Sequence, residues 1–232
     1  MEIFWGLIFS HFLADFTFQT NYIAKWRAEN IRGRWVHVFI FLIITIIITF
    51  PSLGKTWFRF GSVSCAGWLC VISATLLHLA EDQFRAWCVK TQKLPDNIFF
   101  LLWDQFIHIM VIFFLAPRIS LPYYISAEWL KIGTLFVIVT HCATILIYYF
   151  EKDIFGDAVT LVKGKYFAIS ERIMLFLCFF LQGWEWGIGV GAWTAYFLYR
   201  KLRNMNDRTW IDVCVSYIIA ILAGFIARLL VF

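Results

Sequence analysis

Three pairs of histidine and aspartate recur at one spacing in this chain: His11 with Asp15, His78 with Asp82, and Asp104 with His108. Members of a pair four residues apart project from one face of a helix with Cβ atoms about 5–6 Å apart, close enough to share an ion or a hydrogen bond. His37 is a further candidate, and of the five histidines only His141 stands apart on an aliphatic stretch. A lone histidine in an apolar helix is more often a hydrogen-bonding group than a ligand, so the signal lies in the repetition. Neutral imidazoles and carboxylates are ligands of Zn²⁺, Mn²⁺ and Fe²⁺, and a mixed site with an open position makes water nucleophilic near neutral pH. His11, Asp15, His78, Asp82, Asp104 and His108 are therefore the expected ligands of one or two divalent transition ions, Zn or Mn first among them. Gln19, Gln83 and Gln105 stand beside these ligands in sequence and are expected to orient them. His37 or Glu81 would serve as general base or acid.

The elements that must position these residues are apolar. The chain has 232 residues, of which 62% are hydrophobic and 20% aromatic, with a mean hydropathy of +0.76; a soluble domain has roughly 45–50% apolar residues. The expected fold is an all-α, polytopic transmembrane bundle forming one integral membrane domain over residues 1–232. About six full spans are expected near 3–22, 35–50, 62–80, 97–116, 130–150 and 213–231. The run Gln182-Gly183-Trp184-Glu185-Trp186-Gly187 interrupts the apolar stretch 173–199, which reads as a re-entrant helical hairpin. A single span there would put the basic residues Arg200, Lys201, Arg203 and Arg208 outside. Lys25, Arg27, Arg32 and Arg34, with Lys152, Lys163, Lys165 and Arg172 further on, place their loops in the cytoplasm and the N-terminus outside. Met-Glu-Ile-Phe-Trp at the start lacks the basic region of a signal peptide, so the first span is expected to persist. Counted from the cytoplasmic ends at about 1.5 Å per residue, the histidines and aspartates can converge on one pocket open to the cytoplasm.

Other features read as structural. The six cysteines form no CxxC pair and behave as small core hydrophobes. The tryptophans fall mostly at span ends, as interfacial anchors. A net charge of +5 implies affinity for anionic lipid headgroups and makes no case for nucleic acid. Expected partners are membrane lipids, a cytoplasmic protein on the basic loops, and a second copy of the chain.

The order His11-x3-Asp15-x3-Gln19, His37, His78-x3-Asp82-x2-Arg85 and Asp104-Gln105-x2-His108 resembles the bacterial membrane family of domain of unknown function 3307. Its pattern runs H-L-x-A-D-F-x-x-Q, a lone H, H-x-x-x-D-x-x-K and D-Q-x-x-H. Gly164-x6-Glu171-Arg172 is similar to that family's G-x-x-I-G-x-L-E-R element. Arg85 stands where the family has Lys, and the family's Lys-Ser-x-x-Arg element has no clean counterpart around Trp193 and Thr194. The family's His/Asp pattern is similar to that of predicted membrane-bound metal-dependent hydrolases. The resemblance thus implies a metal-dependent hydrolase of the bacterial cytoplasmic membrane acting on a lipid or lipid-linked phosphate or ester. Arg85 and Arg172 would neutralise an anionic headgroup. Two other classes compete: a non-enzymatic sensor or scaffold subunit, in which the polar residues fix helix packing, and a proton- or ion-handling transporter, which needs polar groups through the full thickness.

Overall fold

The computed structural model describes residues 2–118, 121, 123–156, 165–203 and 209–232. Lys163, Gly164 and Arg208, used in the sequence reading, lie outside them. The chain groups into two compact units, Met1–Thr134 and Leu135–Phe232, where the sequence suggested one domain.

In the first unit, α1 (Glu2–Phe12) runs into a π-helical turn, Leu13–Thr17, closed by the Phe18 N–H donating to the Leu13 carbonyl five residues back at 2.8 Å. The expected first span to residue 22 therefore stops early. Thr20 caps a new helix, α2 (Asn21–Glu29), by accepting from the Ile23 N–H. What reads as a basic loop is thus helical, and α2 buries none of its residues. Asn30 then takes an extended conformation, and its side chain caps α3 (Ile31–Thr49) by accepting from the Arg32 N–H. The α2–α3 corner depends on Gly33, where a Cβ would collide with the Trp26 carbonyl and the Arg27 nitrogen.

After α3 comes a short antiparallel hairpin, β1 (Thr56–Phe60) with β2 (Val63–Ala66), turned at Gly61 with φ +60°. The sequence reading placed the start of a span here. A strand turns one large aromatic inward here: Trp57 is 1% exposed, and its indole N–H donates to the Ser52 carbonyl at 3.0 Å. Next come α4 (Gly67–Lys90), α5 (Ile98–Leu115) and α6 (Ala127–Val137). Ile3, Leu7, Ile8, Cys70, Val71 and Ile112 close around Trp57. The same helices are apolar at that end and carry the histidines and aspartates further along.

In the second unit a π-helical turn, Ile138–Cys142, leads into α7 (Ala143–Phe155), and α8 (Lys165–Cys178), α9 (Glu185–Leu202) and α10 (Trp210–Val231) follow. Small residues on α10 (Ala220, Ala223, Ala227) bring Leu175 and Phe176 of α8 close, and Val139 completes the cluster. The apolar stretch 173–199 is broken, with α8 ending at Cys178, Gly183 at φ +52° and α9 returning so that the Trp193 indole donates to the Glu171 carbonyl. Arg172, 2% exposed, ties three helical segments by donating to the Thr140 carbonyl, Thr144 Oγ1 and Ser216 Oγ.

Among the described residues, four helical segments are long and apolar enough to cross a membrane: Ile31–Ser52, Ile98–Leu115, Ala127–Phe155 and Trp210–Val231. The expected count of six is not reached. α1 with its π turn is short, and α4 carries Glu81, Asp82, Arg85 and Lys90. The surface is apolar: on α3, Phe39, Ile43, Ile47 and Phe50 form an exposed stripe while His37, Phe41 and Thr45 are buried. Polar inside and apolar outside is the arrangement lipid favours and water penalises.

Gly33→Ala is expected to destabilise the protein by about 1–3 kcal/mol through overpacking against fixed backbone, whereas Gly54→Ala, with open space around it, leaves stability within about 0.5 kcal/mol. Chemical unfolding of both variants in detergent checks this.

Candidate metal centre

All the paired histidines and aspartates meet in the first unit. His11 comes from α1, Asp15 from the π turn, His37 from α3, His78 and Asp82 from α4, and Asp104 and His108 from α5; each is 4% exposed or less. The imidazole rings pack against one another, with centroids 4.2 Å apart for His78–His108 (tilted), 5.1 Å for His11–His108 (stacked) and 5.2 Å for His37–His78 (edge-on). Three overlapping trios bring their ligand atoms within 4.8 Å: His11/Asp15/His78, His37/His78/Asp82 and Asp82/Asp104/His108.

The hydrogen bonds fix which ring nitrogens carry lone pairs. Gln105 donates from Nε2 to Asp15 Oδ2 at 3.3 Å and to Asp104 Oδ2 at 3.2 Å, so its Oε1 is turned to His11 Nε2 at 3.1 Å. An amide oxygen only accepts, so His11 is protonated on Nε2 and its Nδ1 bears a lone pair. His108 donates from Nδ1 to the Asp104 carbonyl at 2.9 Å, leaving Nε2 as the lone-pair nitrogen. That is the arrangement in which a backbone carbonyl orients a metal-ligating imidazole. Arg27 Nη1 lies 3.1 Å from His37 Nε2; a guanidinium only donates, so His37 Nε2 is an acceptor.

Two of these lone pairs, on His11 Nδ1 and His37 Nε2, lie beside one carboxylate oxygen, and His78 Nε2, which the His37 nitrogen obliges to donate at 3.3 Å, lies beside it too. Asp15 Oδ1 lies 3.4 Å from His11 Nδ1, 3.3 Å from His37 Nε2 and 3.4 Å from His78 Nε2, yet makes no hydrogen bond. His11 Nδ1, Asp82 Oδ2, Asp104 Oδ1 and His108 Nε2 are likewise buried without one. A buried, unsatisfied carboxylate oxygen costs upwards of about 1–3 kcal/mol, and lone pairs facing it add repulsion. A cation between them reverses the sign. Asp15 Oδ1, His37 Nε2 and His78 Nε2 form a triangle with edges of 3.3, 3.4 and 3.3 Å. Ligands on a tetrahedral ion with bonds of about 2.0–2.1 Å stand about 3.3–3.4 Å apart, so the donor set has the spacing and the chemistry of a transition-metal site once Arg27 releases the His37 Nε2 lone pair.

Two arginines border the cluster. Arg27, from α2, donates to Asp82 Oδ1 at 2.7 Å and to Gln19 Oε1 at 2.6 Å; its backbone carbonyl accepts from Arg34 Nη1 at 2.8 Å. Arg85 donates to Asp104 Oδ2 at 2.8 Å and to Asp96 Oδ1 at 2.9 Å. Three buried carboxylates thus face two guanidiniums, which leaves net negative charge for an ion. The sequence reading counted Arg27 only as a topology charge and did not select Arg34 or Asp96 for the site. No helical spacing marked it, since the chain breaks at the extended Thr20 between Gln19 and Arg27.

The other predicted residues are placed as follows. Gln105 is at the centre, Gln19 orients Arg27 rather than a ligand, and Gln83 is exposed on α4. Glu81 is half-buried beside Asp82, and His37 stands within the donor set itself. Arg172 belongs to the second unit, engaged with Thr140, Thr144 and Ser216, and Glu171 accepts from Arg200 at 3.0 Å.

Residues 3–137, which include every member of this cluster, match the family described as Protein of unknown function (DUF3307). The chain belongs to that family. No curated protein and no solved structure matches it. The DUF3307 match ends close to the boundary of the first unit at Thr134, so the matched residues and the unit that builds the cluster nearly coincide.

Gln105→Leu removes the group that sets the His11 tautomer, and is expected to weaken zinc binding about 10–100-fold. Gln83→Leu, on the exposed side of α4, leaves it unchanged. Competition with a chromophoric chelator measures both.

Proposed function

We propose that this chain is a metal-dependent hydrolase of the bacterial cytoplasmic membrane, with its N-terminus outside and its centre near the cytoplasmic face. The observation that carries the reading is the convergence of imidazole nitrogens on Asp15 Oδ1, a buried oxygen without a hydrogen bond. Asp15, His11, His37 and His78 would hold a divalent transition ion, Zn or Mn, and Asp82, Asp104 and His108 extend the site. A bound ion there supplies Lewis-acid chemistry, polarising an ester or phosphoryl oxygen and acidifying water.

The chain's own residues do the rest. Gln105 holds His11 and two carboxylates in register, and the Asp104 carbonyl holds His108. With His37 inside the donor set, Glu81 is the carboxylate placed to take a proton, half-buried at the edge of the site. The apolar exterior of α3 and α5 supports a lipid or lipid-linked substrate carrying a phosphate or ester. The basic residues on α2 and at the start of α3 support the cytoplasmic placement.

A second reading has one observation in its favour. Arg27 already contacts Asp82 and His37, so the cluster could be a polar core compensated by arginine, in a scaffold or sensor subunit.

Elemental mass spectrometry on detergent-purified protein separates the two. The wild type is expected to retain about one equivalent of a transition metal or more after mild chelation, and Asp15→Ala/His78→Ala to lose it. A folded wild type that binds neither Zn²⁺ nor Mn²⁺ when resupplied would leave only the arginine-compensated core.

A further inference from the structure

The histidine and aspartate side chains of the centre are sealed at 3% exposure or less, whereas Arg27 and Arg85 retain 13% and 14%. Anything approaching the cluster from outside meets Arg27, and Arg85 with its outer partner Asp96, 34% exposed at 2.9 Å, before the donors. Their inner partners are unequal to the rest of the donor set. Asp82 Oδ1 and Asp104 Oδ2, members of the trio with His108, already face Arg27 Nη2 and Arg85 Nη1 at 2.7 and 2.8 Å. Asp15 Oδ1, His11 Nδ1 and His78 Nε2 face no guanidinium nitrogen within 4.0 Å among the described ion pairs; Arg27 approaches the other Asp15 oxygen at 3.8 Å and His37 Nε2 at 3.1 Å.

We propose that the centre holds one ion, at the Asp15 corner, and that Arg27 and Arg85 stand where a second ion would, forming an edge that binds a phosphate-type oxyanion. The ion half of this rests on the metal reading above; the anion half stands on the arginines alone. Two-ion hydrolases clamp the phosphoryl oxygens between cations, and a guanidinium fork offers the same charge with directed N–H donors. A tetrahedral dianion has oxygens enough to face both guanidiniums, whose charges are shared with Asp82, Asp96 and Asp104. A planar carboxylate satisfies one. Arg34 adds a third guanidinium behind Arg27: it is 6% exposed, donates to the Arg27 carbonyl, and its Nε is buried without a hydrogen bond. Gln19 holds Arg27 Nη1 at 2.6 Å, so the fork is aimed and not a loose surface chain. Phe18 and Tyr22, exposed beside it at 50% and 73%, suit an edge that meets acyl chains as well as a headgroup.

The test uses full-length protein in nanodiscs, with metal content determined on each sample and folding checked by circular dichroism. Inorganic phosphate is titrated by calorimetry, and phosphatidic acid in place of phosphatidylcholine in the disc reports the lipid source. The wild type is expected to hold one ion and to bind phosphate, phosphatidic acid or both. If phosphatidic acid displaces phosphate, the headgroup is the source; if phosphate alone binds, the free anion is. Arg27→Gln and Arg85→Gln are each expected to weaken anion binding about tenfold or more while retaining the ion, and Arg85→Lys, which keeps the charge without the fork, to fall between. Ion present with no anion bound, or anion binding unchanged in all three variants, overturns the arginine edge and leaves the metal reading intact. Two ions per chain overturn the one-ion half. Anion bound with no ion in any sample overturns the one-ion half and the metal reading, and leaves the arginine edge standing.

Discussion

Asp15 Oδ1 is the atom around which the first unit is organised. Three imidazole nitrogens from α1, α3 and α4 stand within 3.4 Å of it and none hydrogen-bonds to it. Such a contact is unfavourable in water and worse in a low-dielectric interior, where each unpaired charge or lone pair is less screened. It persists only if a cation is part of the folded state or if the surrounding helices hold it in place. The helices do hold it: the apolar end around Trp57 fixes α1, α4 and α5 together, and the polar end then has no freedom to relax. Stability is concentrated at one end of the helices and chemistry at the other.

The π turn after α1 is part of the same design. A turn closed over five residues carries one residue more than an α-turn, and such turns are frequent at functional sites. Here it delivers Asp15 toward three helices. It also ends the helix early, which frees the chain to form α2 and bring Arg27 over the cluster. Gly33 permits the close α2–α3 corner, since a side chain there would meet the α2 backbone. One glycine and one helical irregularity thus decide whether the guanidinium reaches Asp82.

The clustering of these histidines and aspartates was legible because helical periodicity is a short-range rule: residues four apart share a face whatever the tertiary fold. That four helices bring their faces together is a long-range fact, and repetition of the pair was the one hint of it. Adjacent polar residues were harder. Gln83 and Gln105 each follow an aspartate by one residue, yet Gln105 reaches three cluster members and Gln83 is exposed. Which side of a ligand faces the interior depends on neighbouring helices absent from a sequence window. Arg27 was missed because a basic residue after an apolar run has a sufficient explanation in topology. The hairpin at 56–66 was missed because Val63, Cys65 and Ala66 extend the hydrophobic signal of the next helix. The break in 173–199 was legible from Gly183, and the α8–α9 turn falls there.

The central claim is that imidazole and carboxylate donors of the first unit hold an ion. X-ray absorption at the zinc K-edge on zinc-loaded protein tests it most directly, because it reads the ligand atoms themselves. The account predicts a shell of nitrogen and oxygen at about 2.0–2.1 Å with the outer-shell scattering of at least two imidazoles. Sulfur at about 2.3 Å, from the free cysteines, or a shell without imidazole scattering, would contradict it.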